Sequence, residues 1–153
     1  MTTTGDQVIG IAQELFDAMV DDDPGQLSVW EGPTPLLEDP LHAWVDATGA
    51  SERRTLVSAE APTCRQLAVG LLAFSEAEAP DEQDVRDAMG ELANIVGGNI
   101  KSLSPGAGMM SPPGVDTAPP PPCGPRQLEV CLRWRGAPII VSLWGSTDDT
   151  TEE

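Results

Sequence analysis

The sequence predicts an α+β chain, and two observations carry that prediction. Apolar residues recur at helical spacing in three stretches, the longest spanning 81–103. Other stretches alternate with period two and are separated by short turn signals, as antiparallel hairpins are. With 153 residues, 40 % of them apolar, the chain has material for one core. The expected organisation is one domain over 1–147, with a proline-rich loop at 105–125 and an acidic disordered tail at 148–153.

The first helix is expected over 6–20. There Val8, Ile11, Ala12, Leu15, Phe16 and Met19 share a face. It should stop at Asp21-Asp22-Asp23-Pro24-Gly25, where negative charge opposes the helix dipole and Pro-Gly breaks the backbone. Residues 26–40 read as irregular, with a short edge strand near Leu27–Trp30. Two strands follow at 41–48 and 53–60, joined by a turn at Gly49-Ala50-Ser51. A short helix should run from Pro62-Thr63 to Phe74, with Thr63 as N-cap.

The helix at 81–103 is the most strongly patterned element. Val85, Ala88, Met89, Leu92, Ile95, Val96, Ile100 and Leu103 form its stripe. Acids crowd its first half and Lys101 sits in its last turn, the order that the macrodipole favours. Pro105-Gly106 ends it. The following segment, 105–125, holds 8 of the 15 prolines and reads as an exposed polyproline loop. The last ordered unit is a hairpin: Leu128, Val130, Leu132 and Trp134 alternate, Arg135-Gly136 turns, and Ile139, Val141 and Leu143 follow.

Charge excludes several functions. The balance of 25 Asp+Glu against 8 Lys+Arg gives −17, which repels nucleic acid and anionic membrane surfaces. With 2 Phe and no Tyr there is no stacking platform for single strands. No apolar run reaches transmembrane length, and the first residues lack a signal peptide's pattern. Cys64, Cys123 and Cys131 are odd in number and far apart, so reduced thiols and a cytoplasmic location are expected. His42 is the one histidine, which speaks against a zinc site or a His-based triad; it reads as an ordinary strand residue. Trp134 and Trp144 read as core or interface packing.

The long helix also carries the candidate site. On a wheel of about 100° per residue with Val85 at zero, Asn94 falls at about 180° and Glu91 at about 240°. These polar side chains, three residues apart, share the outward face and can reach one partner together. Gly90 and Gly98 lie four residues before and after Asn94 and fall near the same face. Each costs about 1 kcal/mol relative to Ala in a helix interior. They are expected to bury nothing and to clear a low surface around Asn94 for a partner's approach. Asn99 falls at about 320°, close to the stripe, and is expected to be buried and hydrogen-bonded.

The run Asp87-Ala88-Met89-Gly90-Glu91-Leu92-Ala93-Asn94-Ile95-Val96-Gly97-Gly98-Asn99-Ile100-Lys101 resembles the signature helix of the CheX/CheC/FliY chemotaxis phosphatases. The shared pattern is Glu-x-x-Asn followed by a small-small-Asn step. One such helix rather than two points to the CheX type, and the order of elements extends the likeness loosely over the whole chain. The resemblance implies a CheC-like fold, with long helices packed on an antiparallel β-sheet, and a homodimer. It implies hydrolysis of the phosphoaspartate of a CheY-like response-regulator receiver domain. Asn94 would orient the attacking water and Glu91 would pair with the receiver's lysine, with Asp87, Gly90, Gly98 and Lys101 at the docking surface. No cofactor is expected on this chain, because the Mg²⁺ belongs to the receiver. The sequence departs from the family in the proline content of Ser111–Pro125, where the family's next strand normally runs. A rival reading keeps the same helix face but makes the chain a catalytically weak receiver-binding adaptor.

Overall fold

The computed structural model describes residues 3–21, 23–49, 52–75, 78–103 and 107–145. Helix α1 spans Gly5–Leu15. Its start is a capping box, in which the Thr4 side chain takes the Gln7 N–H and the Gln7 side chain reaches back to the Thr4 N–H. The helix continues as one π-turn over Phe16–Val20. The stop at Asp21 does not leave that residue a solvated charge. Its side chain is 2 % exposed and pairs with Arg135 at 3.1 Å.

Among the described residues, seven strands form one sheet: β1 (Leu27–Val29), β2 (Pro40–Gly49), β3 (Arg53–Glu60), β4 (Ala107–Met110), β5 (Gly114–Asp116), β6 (Arg126–Trp134) and β7 (Ala137–Trp144). Their order is β1-β6-β7-β3-β2-β4, with β5 also on β2, and every pairing is antiparallel. The expected fold class therefore holds. The β6–β7 turn places Arg135 at φ 54° and Gly136 at φ 81°, the two positive values that a two-residue primed turn needs. The turn expected at 49–51 and the acidic tail at 148–153 lie outside the described residues, in whole or in part.

Helix α2 (Ala61–Leu71) corrects one expectation. It follows β3 directly, so Glu60 is the N-cap and Thr63 lies buried inside the first turn rather than capping it. Pro62, with no N–H to satisfy, marks the true start. The helix also stops at Leu71, short of Phe74, and Ala73 turns away at φ 58°.

Helix α3 (Glu82–Lys101) opens with an Asp81–Asp84 capping box. All three helices pack on one face of the sheet. Val8, Leu15 and Phe16 from α1, Leu67 from α2, and Met89, Leu92, Val96 and Ile100 from α3 form one core with the inward residues of β2, β3, β6 and β7. α3 approaches the sheet closely because it has Gly97 there. A Cβ at that position would overlap Val45 Cγ2, and Val45 is a buried β-branched residue with little room to turn. Gly97→Ala is therefore expected to destabilise the fold by about 1–3 kcal/mol, although alanine is the better helix former. Chemical denaturation checks this, and a gain in stability would show that the helix has slack above β2.

The proline-rich segment is not the free loop that its composition predicts. It first supplies two short strands to the β2 edge, bridged where Ser111 N–H donates to Asp46 O (2.8 Å) and Ser111 Oγ accepts from Asp46 N–H (3.0 Å). It then crosses the sheet face that carries no helix, because β5 and β6 lie on opposite sides of β2, β3 and β7. Four strand spacings amount to about 19 Å. The nine residues between Asp116 and Arg126 reach about 28 Å as polyproline helix, enough to cross as a strap. Arg54 holds the strap by donating to Pro121 O (2.6 Å), while its own guanidinium pairs with Asp46 at 2.7 Å.

Candidate functional site

Glu91 and Asn94 both lie exposed on α3, three residues apart on one face, so their Cβ atoms are about 5–6 Å apart. Among the described residues neither side chain has an intramolecular hydrogen bond or an ion pair. Both are free to bind something else. Asp87 lies exposed one turn before Glu91 and accepts from Gln83 Nε2 at 2.8 Å. Lys101 is half-buried at the far end of α3, in the wall of a small cavity with Val45, Arg53 and Met110. It stands two turns from Asn94, at the margin of this face.

The two glycines behave differently from expectation. Gly90 is buried, not outward. A Cβ there would lie 3.3 Å from Pro113 Cγ and 3.5 Å from Val115 Cγ2. Gly98 is half-buried, and a Cβ there would lie 3.8 Å from Met110 Sδ. The space that the glycines clear is taken by the chain's own β4–β5 segment. The buried arc of α3 runs from Ala88 through Met89 to Gly90 and Gly97, centred about 40° away from Val85 on the wheel. A stripe centred on Val85 excludes Gly90, whereas the observed arc includes it. The same offset hid Arg86, whose Nη1 donates to Val115 O at 2.9 Å and ties β5 to the helix. The close spacing of Gly90 and Gly97 to the true stripe is the signal that could have revealed a backbone packed there.

Asn99 is likewise corrected. It is exposed, and its Nδ2 donates back to Ile95 O at 2.9 Å. α1 does not cover this end of α3. Ile11, Glu14, Leu15, Met19, Ile95 and Asn99 border a groove of about 200 Å³ between them.

Among the described residues, Glu91 and Asn94 form a ridge. Neither Glu91 nor Asn94 lines that groove. Neither lines the cavity of about 360 Å³ where α2 and α3 begin, nor the one of about 280 Å³ under the proline strap. A small substrate would have no walls to hold it here. A ridge with two free polar groups suits a substrate that brings its own cleft.

His42 occupies a row with Ser58 on β3 and Asp116 on β5, and its Nδ1 lies 2.7 Å from Ser58 Oγ. Burial lowers the His42 pKa, and Asp116 pulls it the other way. The row is structural: Ser58 is buried, and Asp116 Oδ1 accepts from the Thr117 N–H at 2.6 Å instead of holding the imidazole. The cysteines are all unpaired thiols, and burial pushes Cys64 up to about 12, where it is inert at neutral pH. Among the described residues no helix is long and apolar enough to cross a membrane.

An antiparallel sheet with helices on one face, and a helix ridge bearing Glu-x-x-Asn, define a known class. Residues 41–123 match the family described as Chemotaxis phosphatase CheX, and the chain belongs to that family. Comparison with curated proteins gives no match. Among solved structures, the chain is similar to chemotaxis protein CheX from Vibrio vulnificus, with 13 % identity, a TM-score of 0.68, and coverage of 91 % of this chain and 96 % of that one. It is also similar to the CheX–CheY–BeF3–Mg²⁺ complex from Borrelia burgdorferi, with 16 % identity, a TM-score of 0.65, and coverage of 92 % and 96 %. A CheC-like superfamily protein from Shewanella sp. PV-4 matches with 15 % identity, a TM-score of 0.64, and coverage of 92 % and 95 %. At these identities the structural likeness speaks for the fold.

Proposed function

We propose that the chain hydrolyses the phosphoaspartate of a CheY-like receiver domain, with Asn94 and Glu91 as the working residues. The observation that carries this reading is the pair of exposed, unengaged side chains on one ridge of a CheX-family helix. Water attacks phosphorus in line, the bond from phosphorus to the aspartyl oxygen breaks, and the products are the free carboxylate and inorganic phosphate. Such a transition state asks for positioning more than for covalent chemistry. An amide suits the task at Asn94, because it donates and accepts at once and brings no charge toward the phosphoryl group. Glu91 docks on the receiver's lysine and sets the register. Asp87, Gly98 and Lys101 flank the contact; Gly90 serves it from below, by letting the β4–β5 segment pack beside the ridge. We assign the Mg²⁺ to the receiver, a reading supported by the similar Borrelia complex, which contains CheX, CheY, BeF3 and Mg²⁺. The proposal includes a cytoplasmic homodimer with one domain over residues 1–147; light scattering checks the dimer.

The test is the decay of a phosphorylated CheY-like receiver with and without this protein. No acceleration by the wild type overturns the reading. Glu91→Ala is expected to act mainly through docking, raising KM about tenfold while kcat falls less. A fall in kcat at unchanged KM would instead place Glu91 in the chemical step.

A further inference from the structure

We infer that the link between β4 and β5, with Pro113 at its crest, is a rigid docking shoulder that the receiver domain rests on when Asn94 enters its pocket. This deepens the proposed function and rests on it. The shoulder lies along one flank of the ridge. Met110 packs beside Gly97 and Gly98, and Pro113 packs beside Gly90, so the two contacts bracket Asn94 one turn to either side. They are about 12 Å apart along the helix axis.

The shoulder is held from two directions. Arg86 Nη1 ties Val115 O to the helix, and Ser111 is stitched to Asp46 on β2 through both its backbone N–H and its hydroxyl. Pro113 is nonetheless exposed on its outer side. A residue clamped to the helix at its inner edge and bare at its outer edge offers a partner apolar surface with little conformational entropy to lose. Proline adds to this, because its φ is already fixed. The occupant is the receiver rather than another molecule for two reasons. The shoulder is continuous with the Glu91–Asn94 ridge, and any body whose cleft encloses Asn94 must contact what stands beside it. The acidic Asp87 and Glu91 on the same face match the receiver's lysine and disfavour a second copy of this acidic face.

The experiment uses the full chain and a purified CheY-like receiver charged with acetyl phosphate and Mg²⁺. Pro113→Asp is expected to raise KM for the phosphorylated receiver about tenfold with kcat within about twofold. Pro113→Val, which keeps an apolar side chain on the rim, is expected to recover most of that loss. Pro113 Cβ and Cγ also lie against Gly90, so the unfolding midpoint of each variant is measured alongside, and KM is compared at a temperature where both are folded. An unchanged KM for a folded Pro113→Asp protein, with the wild type active, overturns the shoulder and leaves the phosphatase reading standing. Loss of kcat in both variants also overturns it, since that assigns Pro113 to support of the helix. A change from dimer to monomer at unchanged KM overturns it in favour of self-association. An inactive wild type fails the phosphatase reading itself, a result that none of the Pro113 outcomes can imitate.

Discussion

Replacing Asn94 with alanine is expected to lower kcat for receiver dephosphorylation by about 10²–10³-fold, the loss typical of removing one aligned polar group from a transition state. The fold should not suffer. Asn94 is exposed, makes no intramolecular bond among the described residues, and alanine is the better helix former by several tenths of a kcal/mol. Activity and stability therefore move in opposite directions, a signature that a general structural defect cannot produce. KM should change little, because Glu91 and the flanking surface still dock. Asn94→Asp is a sharper control. It keeps the size but aims a negative charge at the phosphoryl group, and it should be as inactive as alanine. Single-turnover decay of the phosphorylated receiver reads both. Equal rates for wild type and Asn94→Ala would end the catalytic reading and leave the chain as a receiver-binding adaptor.

Trp134→Ala is expected to cost about 3–5 kcal/mol, the largest stability loss from any single change considered. Trp134 is 0 % exposed and makes three separate attachments. Its ring meets Phe16 edge-on, with centroids 5.6 Å apart at 77°. Its Nε1 donates to Asp21 at 3.1 and 3.0 Å from the two carboxylate oxygens. Arg135 lies over the ring at 4.3 Å. Truncation opens a cavity and strips the buried Asp21 carboxylate of one of its two donors, so the cavity and polar penalties add. The melting temperature should fall on the order of 10 °C for a chain of this size. Trp134→Phe separates the terms: it keeps most of the packing and loses the donor, for about 1–3 kcal/mol. If urea unfolding gave less than about 1 kcal/mol for Trp134→Ala, the cluster would not be the anchor of the α1 end that its contacts imply.

Much of this was legible beforehand, for physical reasons. β2 follows period-two alternation, the β6 sequence alternates likewise, and Gly136, which takes a positive φ without strain, marks the turn that closes the hairpin. α3 announces itself by its stripe and by acids at its start. Glu91 and Asn94 were legible as an outward pair, because i and i+3 on a helix share a face whatever surrounds it. The misreadings come from contacts between segments distant in sequence. Gly90 looked outward because nothing local says that Pro113 lies on it. Thr63 looks like a cap because threonine is a favoured N-cap residue; β3 runs straight into α2, and its last residue, Glu60, takes the cap position instead. Nothing local to Asp21 tells that it is buried, because its partners, Trp134 and Arg135, are more than a hundred positions away. The prolines looked like a loop because polyproline has no amphipathic pattern, although here it covers a sheet.

That strap changes how the protein meets its neighbours in solution. A sheet with helices on one side normally shows water a polar second face, and this one sets Trp44, Leu56, Ile140 and Trp144 among its polar residues His42, Asp46 and Arg54. Pro119–Pro122 lie over the part that holds Arg54, Leu56 and Trp144, and that part is covered by a segment that was already nearly straight and stiff before folding, so little disorder is lost in covering it. The strap makes a third layer without a third layer's worth of side chains. It keeps a tryptophan-bearing surface from becoming a place where one molecule sticks to the next, a protection that high net charge alone does not provide at contact distance.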